Sequence, residues 1–233
     1  MPHILYLVHD LSDAAVRRRV MMLHAGGAKV TLAGFRRSAE PVQTVEGVAA
    51  IDLGRTEDGA FGKRIITVLR TGRRLSKALG TIKPDVIVAR NLEMLALACS
   101  VWAGRTKSPR IVYESLDIHR LLLRNDPAGA ALRLLERGLI RRAAMIVTSS
   151  PAFIRNYFHP VQRVTRPILL VENKVVEIDR AAVAEPSVTL LAHRPFRIGW
   201  FGALRCRKSL HLLAVFSRQM QGRYEIILRG RPA

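Results

Sequence analysis

Cysteine is scarce in this chain. Cys99 and Cys206 are the only two in 233 residues, and neither belongs to a CxxC or Cys/His pattern. A zinc site and a disulfide framework therefore have no support, and a reducing, cytoplasmic setting is the simple reading. Aromatics make up only 6%. With no RNP, zinc-finger or KH signature present, a nucleic-acid reader is disfavoured. Long apolar runs are missing too. The longest uncharged stretch, roughly Met94–Gly104, falls short of the ~20 residues a membrane-spanning helix needs. The opening MPHILYLVHD has no charged leader and turns polar after Val8, so it reads as a first core strand rather than a signal peptide.

Acidic residues are the other shortage: 18 Asp and Glu stand against 38 Lys and Arg, for a net charge of +20. Such a field favours anionic partners, namely nucleotide phosphates, acidic lipid headgroups or nucleic acid. Arginines that merely decorate solvated faces would give the same count. Hydrophobic residues, at 49%, suffice for a sizeable core.

Along the chain, short β-rich runs alternate with helical patterns. Strands are expected at 4–8, 29–35, 48–53, 85–90, 110–115, 145–150 and 168–173, with helices near 13–25, 61–79, 91–102, 128–143 and 151–158. Continuous apolar strands separated by helices predict an α/β fold, a Rossmann-like, doubly wound parallel sheet covered on both faces. Ser12 and Asn91 are N-cap types, Ser150-Pro151 opens a helix, and Gly26-Gly27 closes one. Residues 174–196 lose periodicity between prolines and read as a linker. The β pattern restarts at RIGWFG and gives one βαβ unit over 197–233.

Ligands of such sheets bind at the carboxyl ends of the strands. Those ends carry His9 and Asp10, Arg90 and Asn91, Glu114 with Asp117 and His119, Ser149 and Ser150, and Asn173 with Lys174. Helix capping is the simpler role for Asn91 and Ser150. Asp10 and the Glu114/Asp117/His119 group are harder to explain structurally, because carboxylates beside an imidazole orient hydroxyls and move protons near neutral pH. The loop GALRCRKS (202–209) follows a strand and opens a helix, which suits an anion. Arg205, Arg207 and Lys208 add donors for a diphosphate, although neither a Walker loop nor GxGxxG is present. The basic amphipathic helix 61–79 either packs on the sheet with its charges in water or lies on an anionic membrane.

ILYLVHD, VYESLDIHRLLL, LLERGLIRRAAMIVTSSPAFIRNYF, ILLVENKV and RIGWFGALRCRKSL, in that order, resemble the retaining, GT-B-fold glycosyltransferases of family 4. The resemblance implies an acceptor-side Rossmann-like domain over 1–173, a linker over 174–196 and the start of a second, nucleotide-sugar-binding Rossmann-like domain over 197–233. It implies sugar transfer from a nucleotide-sugar to a glycan or lipid-linked acceptor, with no cofactor and no metal. By the same resemblance Asp117 and His119 face the reaction, Gly202, Arg205 and Lys208 hold the donor phosphates, and Asp10, Asn91, Glu114 and Asn173 line the acceptor side of the cleft. Departures exist. Leu116 stands where the family often has histidine, and Ala203 follows Gly202 where arginine is common. The family's paired glutamates, spaced E-x7-E, lie in the part of the donor domain that these residues do not reach, so the second domain reads as incomplete and these residues alone as having little or no transferase activity. The expected location is cytoplasmic, peripheral at the inner face of a membrane. The competing reading is a basic, non-catalytic α/β module that binds membrane or nucleic acid.

Overall fold

Both faces of the first strand, β1 (His3–Val8), are buried: Leu5 and Leu7 enter one apolar cluster, Tyr6 and Val8 the other. A strand buried on both sides reads as an unbroken apolar run, and HILYLV is one. The structure, a computed structural model, describes residues 1–56, 82–102, 108–172, 195–202 and 206–230. The chain divides into two compact units, Met1–Glu177 and Ile178–Ala233. The expected basic helix 61–79 and residues 174–194 of the expected linker lie outside the described residues.

In the first unit β1 is joined by β2 (Lys29–Arg36), β3 (Thr44–Val45), β4 (Val48–Arg55), β5 (Val86–Arg90), β6 (Arg110–Ser115), β7 (Met145–Thr148) and β8 (Ile168–Leu170). The sheet order is β3-β4-β2-β1-β5-β6-β7-β8. Every neighbouring pair is parallel except β3–β4. That exception is a two-residue hairpin at Glu46-Gly47, both with positive φ (50° and 76°), as a primed turn demands. The sequence pattern did not signal β3, which is only two residues long.

The chain builds outward from β1 to β4 and then returns to place β5 on the other side of β1. A topological switch point therefore lies between β1 and β5. The β1–β2 approach is close. A Cβ on Gly34 would stand 2.4 Å from Val8 Cγ2 and 2.6 Å from the Val8 carbonyl, so only glycine fits there without a backbone shift.

Helix α1 (Ala14–Ala25) packs Val16 and Val20 into the Tyr6 side of the core. Helix α2 (Asn91–Val101) is buried almost throughout, and together with Ile140 of α3 (Pro127–Ile140) it builds the larger cluster on the other face. Asp126 caps α3 ahead of Pro127. A short helix α4 (Pro151–Phe153), capped by Ser150, runs on into a π-turn over Ile154–Phe158.

Two expected caps differ. Asp13, not Ser12, caps α1, because its side chain accepts from Ala15 N. Ser12 instead donates to Asp10. At α2 the cap position falls on Arg90, and Asn91 is the first helical residue, with φ +72°.

The second unit holds β9 (Phe196–Phe201), α5 (Arg207–Gln219) and β10 (Tyr224–Arg229), with β9 and β10 parallel. Tyr224 stacks at tilted angles against Phe196 and Phe216.

Candidate functional site

Three strand ends converge at the switch point: His9 and Asp10 leave β1, Arg90 closes β5, and Glu114 lies one residue before the end of β6. The β1–α1 loop is built on its own carboxylates. Asp10 Oδ1 accepts from Ser12 N (3.0 Å) and Ser12 Oγ (2.6 Å), and Oδ2 lies 3.2 Å from Arg37 Nε. Leu11 N donates to Phe35 O at 2.8 Å and ties the loop to β2. Asp10 is 7% exposed, so these partners are what make its burial affordable.

Beneath this loop runs a chain of polar side chains on the α1 face of the sheet. Arg90 Nη2 donates to Asp13 Oδ2 at 2.9 Å, and Arg90 Nη1 stands 3.4 Å from Tyr6 Oη. Tyr6 Oη donates to Glu114 Oε2 at 2.6 Å, and Arg19 Nε to Glu114 Oε1 at 2.5 Å. The two arginines balance the two carboxylates, as burial of charge requires. Burial, with the Glu114 charge second, pushes the Tyr6 hydroxyl well up, so it stays a donor. Glu114 is thus placed under the rim, 1% exposed, with both oxygens engaged. Among the described residues Arg90 Nε has no partner.

At the rim itself Asn91 Nδ2 stands 3.0 Å from His9 Nδ1. Burial first, then the positive charges of Arg90 and Arg37, lower the His9 pKa to about 4 against the opposing pull of Asp13 and Asp10. His9 is therefore a neutral imidazole at physiological pH.

The Asp117/His119 loop is more open. Asp117 and His119 are both exposed. Asp117 Oδ1 accepts from Ile118 N at 2.9 Å, and His119 Nδ1 accepts from Leu121 N at 3.3 Å to cap the 3-10 turn Arg120–Leu123. Ser149 Oγ donates to Leu116 O, and Thr148 Oγ1 to Ser115 O, each at 2.9 Å, holding the loop to the end of β7.

In the second unit Gly202 follows β9 with φ +126°, a conformation suited to glycine, and Lys208 is the second residue of α5. Arg205 and Asn173 lie outside the described residues. Cys206 caps α5, and hydrogen bonds from the Ser209 side chain first and its backbone N–H second lower its thiol pKa. Among the described residues no three His, Cys, Asp or Glu side chains gather as a metal site. Asp10, Arg90, Asn91 and Glu114 were legible at the strand ends, whereas Tyr6, Asp13 and Arg19, which tie Arg90 and Glu114 into one network, were not. Asp13 carried a signal, being the second cap-type residue before α1.

The chemistry of the rim is specific. A phosphate-binding β1–α1 loop offers glycines and free N–H groups. Here HDLSDA has no glycine, and its Asp13 already occupies the helix N-terminus. Two carboxylates, an amide and a neutral imidazole suit hydroxyl groups better than phosphate.

Comparison with known proteins adds to this geometry. The family model described as "Glycosyl transferase 4-like domain" matches residues 12–173. The succinoglycan biosynthesis protein ExoL of Rhizobium meliloti (strain 1021) is 54% identical over 237 residues, covering 100% of this chain. This chain spans 59% of the length of that relative. Among solved structures, the apo form of the lipopolysaccharide outer core galactosyltransferase WaaB superposes with TM-score 0.64 at 12% identity, covering 97% of this chain and 60% of that one. The sucrose-phosphate synthase of Thermosynechococcus elongatus gives 0.61 at 13%, covering 98% and 62%.

Proposed function

The chain belongs to the glycosyl transferase 4-like family, with the GT-B type of fold, and on that premise we propose that it serves a transferase moving a sugar from a nucleotide-sugar to a glycan or lipid-linked acceptor in polysaccharide assembly. The observation that carries the assignment of sides is the switch-point rim of the first unit. Its glycine-free loop, its two carboxylates and its His9–Asn91 pair favour a hydroxyl-bearing acceptor over a diphosphate. In this reading Asp10 and Asn91 line the acceptor position with Asn173, and Glu114 acts from below through Tyr6 and Arg19. Asp117 and His119 approach the reacting sugar from the exposed loop. Gly202, Arg205 and Lys208 take the donor diphosphate at the start of α5, stabilising the charge that develops on the leaving group. Transfer proceeds with retention and without a metal.

The test uses the whole protein with a panel of nucleotide-sugars and lipid-linked glycans from polysaccharide-producing cells. Mass spectrometry should show an acceptor heavier by one sugar, and NMR of the product an anomeric configuration matching the donor. Undiminished turnover in chelator is expected. Absence of transfer across the panel, or hydrolysis alone, would sink the proposal.

A peripheral position at the inner membrane face has its own observation. Leu134 and Leu135 of α3 are 63% and 41% exposed, ahead of exposed Arg141 and Arg142, and none of the described helices is long and apolar enough to cross a membrane. Flotation with anionic but not neutral vesicles is the expected result, and equal flotation with both contradicts it.

A further inference from the structure

We propose that His9 is the side chain that contacts the acceptor, donating from Nε2–H to an acceptor oxygen, and that Asn91 is the positioning residue that fixes this tautomer. The proposal rests on the acceptor-side reading of the first unit and narrows it to one uncharged donor.

His9 leaves β1 and Asn91 follows β5, the two strands that flank the switch point, so the fold brings the two residues together across 82 sequence positions. Asn91 adopts φ +72° as the first residue of α2. Left-handed backbone in a non-glycine residue is unfavourable and persists where its surroundings demand it. Asparagine is among the few side chains that tolerate it. The side chain so placed does not cap the helix; its amide nitrogen lies 3.0 Å from His9 Nδ1. An amide N–H only donates, so Nδ1 presents its lone pair and the imidazole proton resides on Nε2. Among the described residues Nε2 has no hydrogen-bond partner, and His9 is half-buried rather than sealed.

The charges around the ring keep it in that state. Arg90 from β5 and Arg37 after β2 disfavour a second proton, while Asp10 and Asp13 from the β1–α1 loop oppose them, and burial decides for the neutral form. A neutral imidazole held as a donor orients a hydroxyl oxygen without storing a proton. The orphaned Nε of Arg90, in a residue only 4% exposed, stands in the same buried network.

Two experiments test this. In the 233-residue chain, nitrogen-proton correlation NMR of the His9 ring should show a protonated Nε2 and a bare Nδ1 between pH 5 and 8. Asn91→Gly, which keeps the backbone conformation, should release the preference. Asn91→Asp, which only accepts, should reverse it. A ring that titrates near 6.5, or an unchanged tautomer in both variants, overturns the proposal, whatever the transferase assay shows. In the whole protein, glutamine carries its N–H where Nε2 stands and asparagine does not. His9→Asn should raise the acceptor KM about three- to tenfold, the worth of a neutral hydrogen bond, with the donor KM unmoved. His9→Gln should raise it less. Equal losses, or a shift in donor KM instead, would count against the acceptor contact. A failed transferase assay with the expected tautomer intact would fault the functional reading and leave the His9–Asn91 lock standing.

Discussion

Tyr6 and Glu114 lie 108 positions apart, on strands separated by β5, and share a hydrogen bond of 2.6 Å on the α1 face of the sheet. The bond spans the switch point and joins the two halves of the sheet beneath the rim. Tyr6→Phe removes the donor and leaves Glu114 Oε2 buried without a partner. A hydrogen bond to a charged group is worth roughly 1.5–3 kcal/mol, so the variant should lose about 2 kcal/mol in urea denaturation with an unchanged slope. An unchanged midpoint would mean that Arg19 alone satisfies the carboxylate.

Asp13 performs two tasks that substitution separates. It caps α1 through Ala15 N and pairs with Arg90. Asn keeps the cap and loses the charge; Ala loses both. Arg90 is buried, but the Asp13 side chain is 32% exposed, which places the loss below that of a fully buried pair. Asp13→Asn should cost about 2 kcal/mol, the worth of a hydrogen bond between charged groups, and Asp13→Ala about 1 kcal/mol more. Thermal or urea unfolding of the two variants measures the difference. Equal costs would show that the cap contributes nothing.

His9 predicts a pH dependence of definite sign. Its folded pKa is about 4, against ~6.5 unfolded. Between those values the unfolded chain binds more protons, so stability rises with pH across that window and the penalty is complete below about 4. The span corresponds to at most about 3 kcal/mol. His9→Gln, which does not titrate, should flatten the stability profile between pH 4 and 6.5 while leaving it unchanged in shape above 7. A variant as steep as the parent would place the titration elsewhere.

How far the sequence disclosed all this depends on the range of the interaction. The apolar runs of β1, β5 and β6 mark doubly buried strands by local composition, and the structure has them with β6 as expected and β1 and β5 each differing by one residue at the start. The cap at α1 was ambiguous for a local reason: Ser12 and Asp13 are both cap types and adjacent, and only the hydrogen bond of Ser12 to Asp10 decides between them. Asn91 looked like a cap because its left-handed backbone, which carries its side chain to His9, leaves no trace in composition. The ties of Tyr6 and Arg19 to Glu114 cross 108 and 95 positions, and no periodicity reports a partner that distant. Glu114 was therefore legible as a polar residue at a strand end, but its place beneath the rim was not.

Glu136 offers the last test, on the opposite face of the sheet. It is 1% exposed and accepts from Tyr113 Oη at 2.8 Å, from Tyr157 Oη and from Gln162 Nε2. No cation pairs with it among the described residues. Burial raises its pKa, and the bonds from Tyr157, Tyr113 and Gln162 only partly offset this. A carboxyl whose folded pKa is raised contributes stability below its unfolded value of ~4.3, and loses that contribution as pH climbs through the folded pKa. At neutral pH the charge therefore works against the fold. Glu136→Gln removes it, and the new amide N–H₂ needs an acceptor. Gln162 Oε1 is buried and without a partner among the described residues. The variant should therefore match the parent at pH 7 or exceed it by about 1 kcal/mol, with that gain gone near pH 4. Glu136→Ala strands three donors and opens a cavity, so it should cost about 3 kcal/mol or more. Urea midpoints at the two pH values decide the matter. A Glu136→Gln loss above about 2 kcal/mol at pH 7 would mean that the three donors stabilise the anion beyond the cost of burying it.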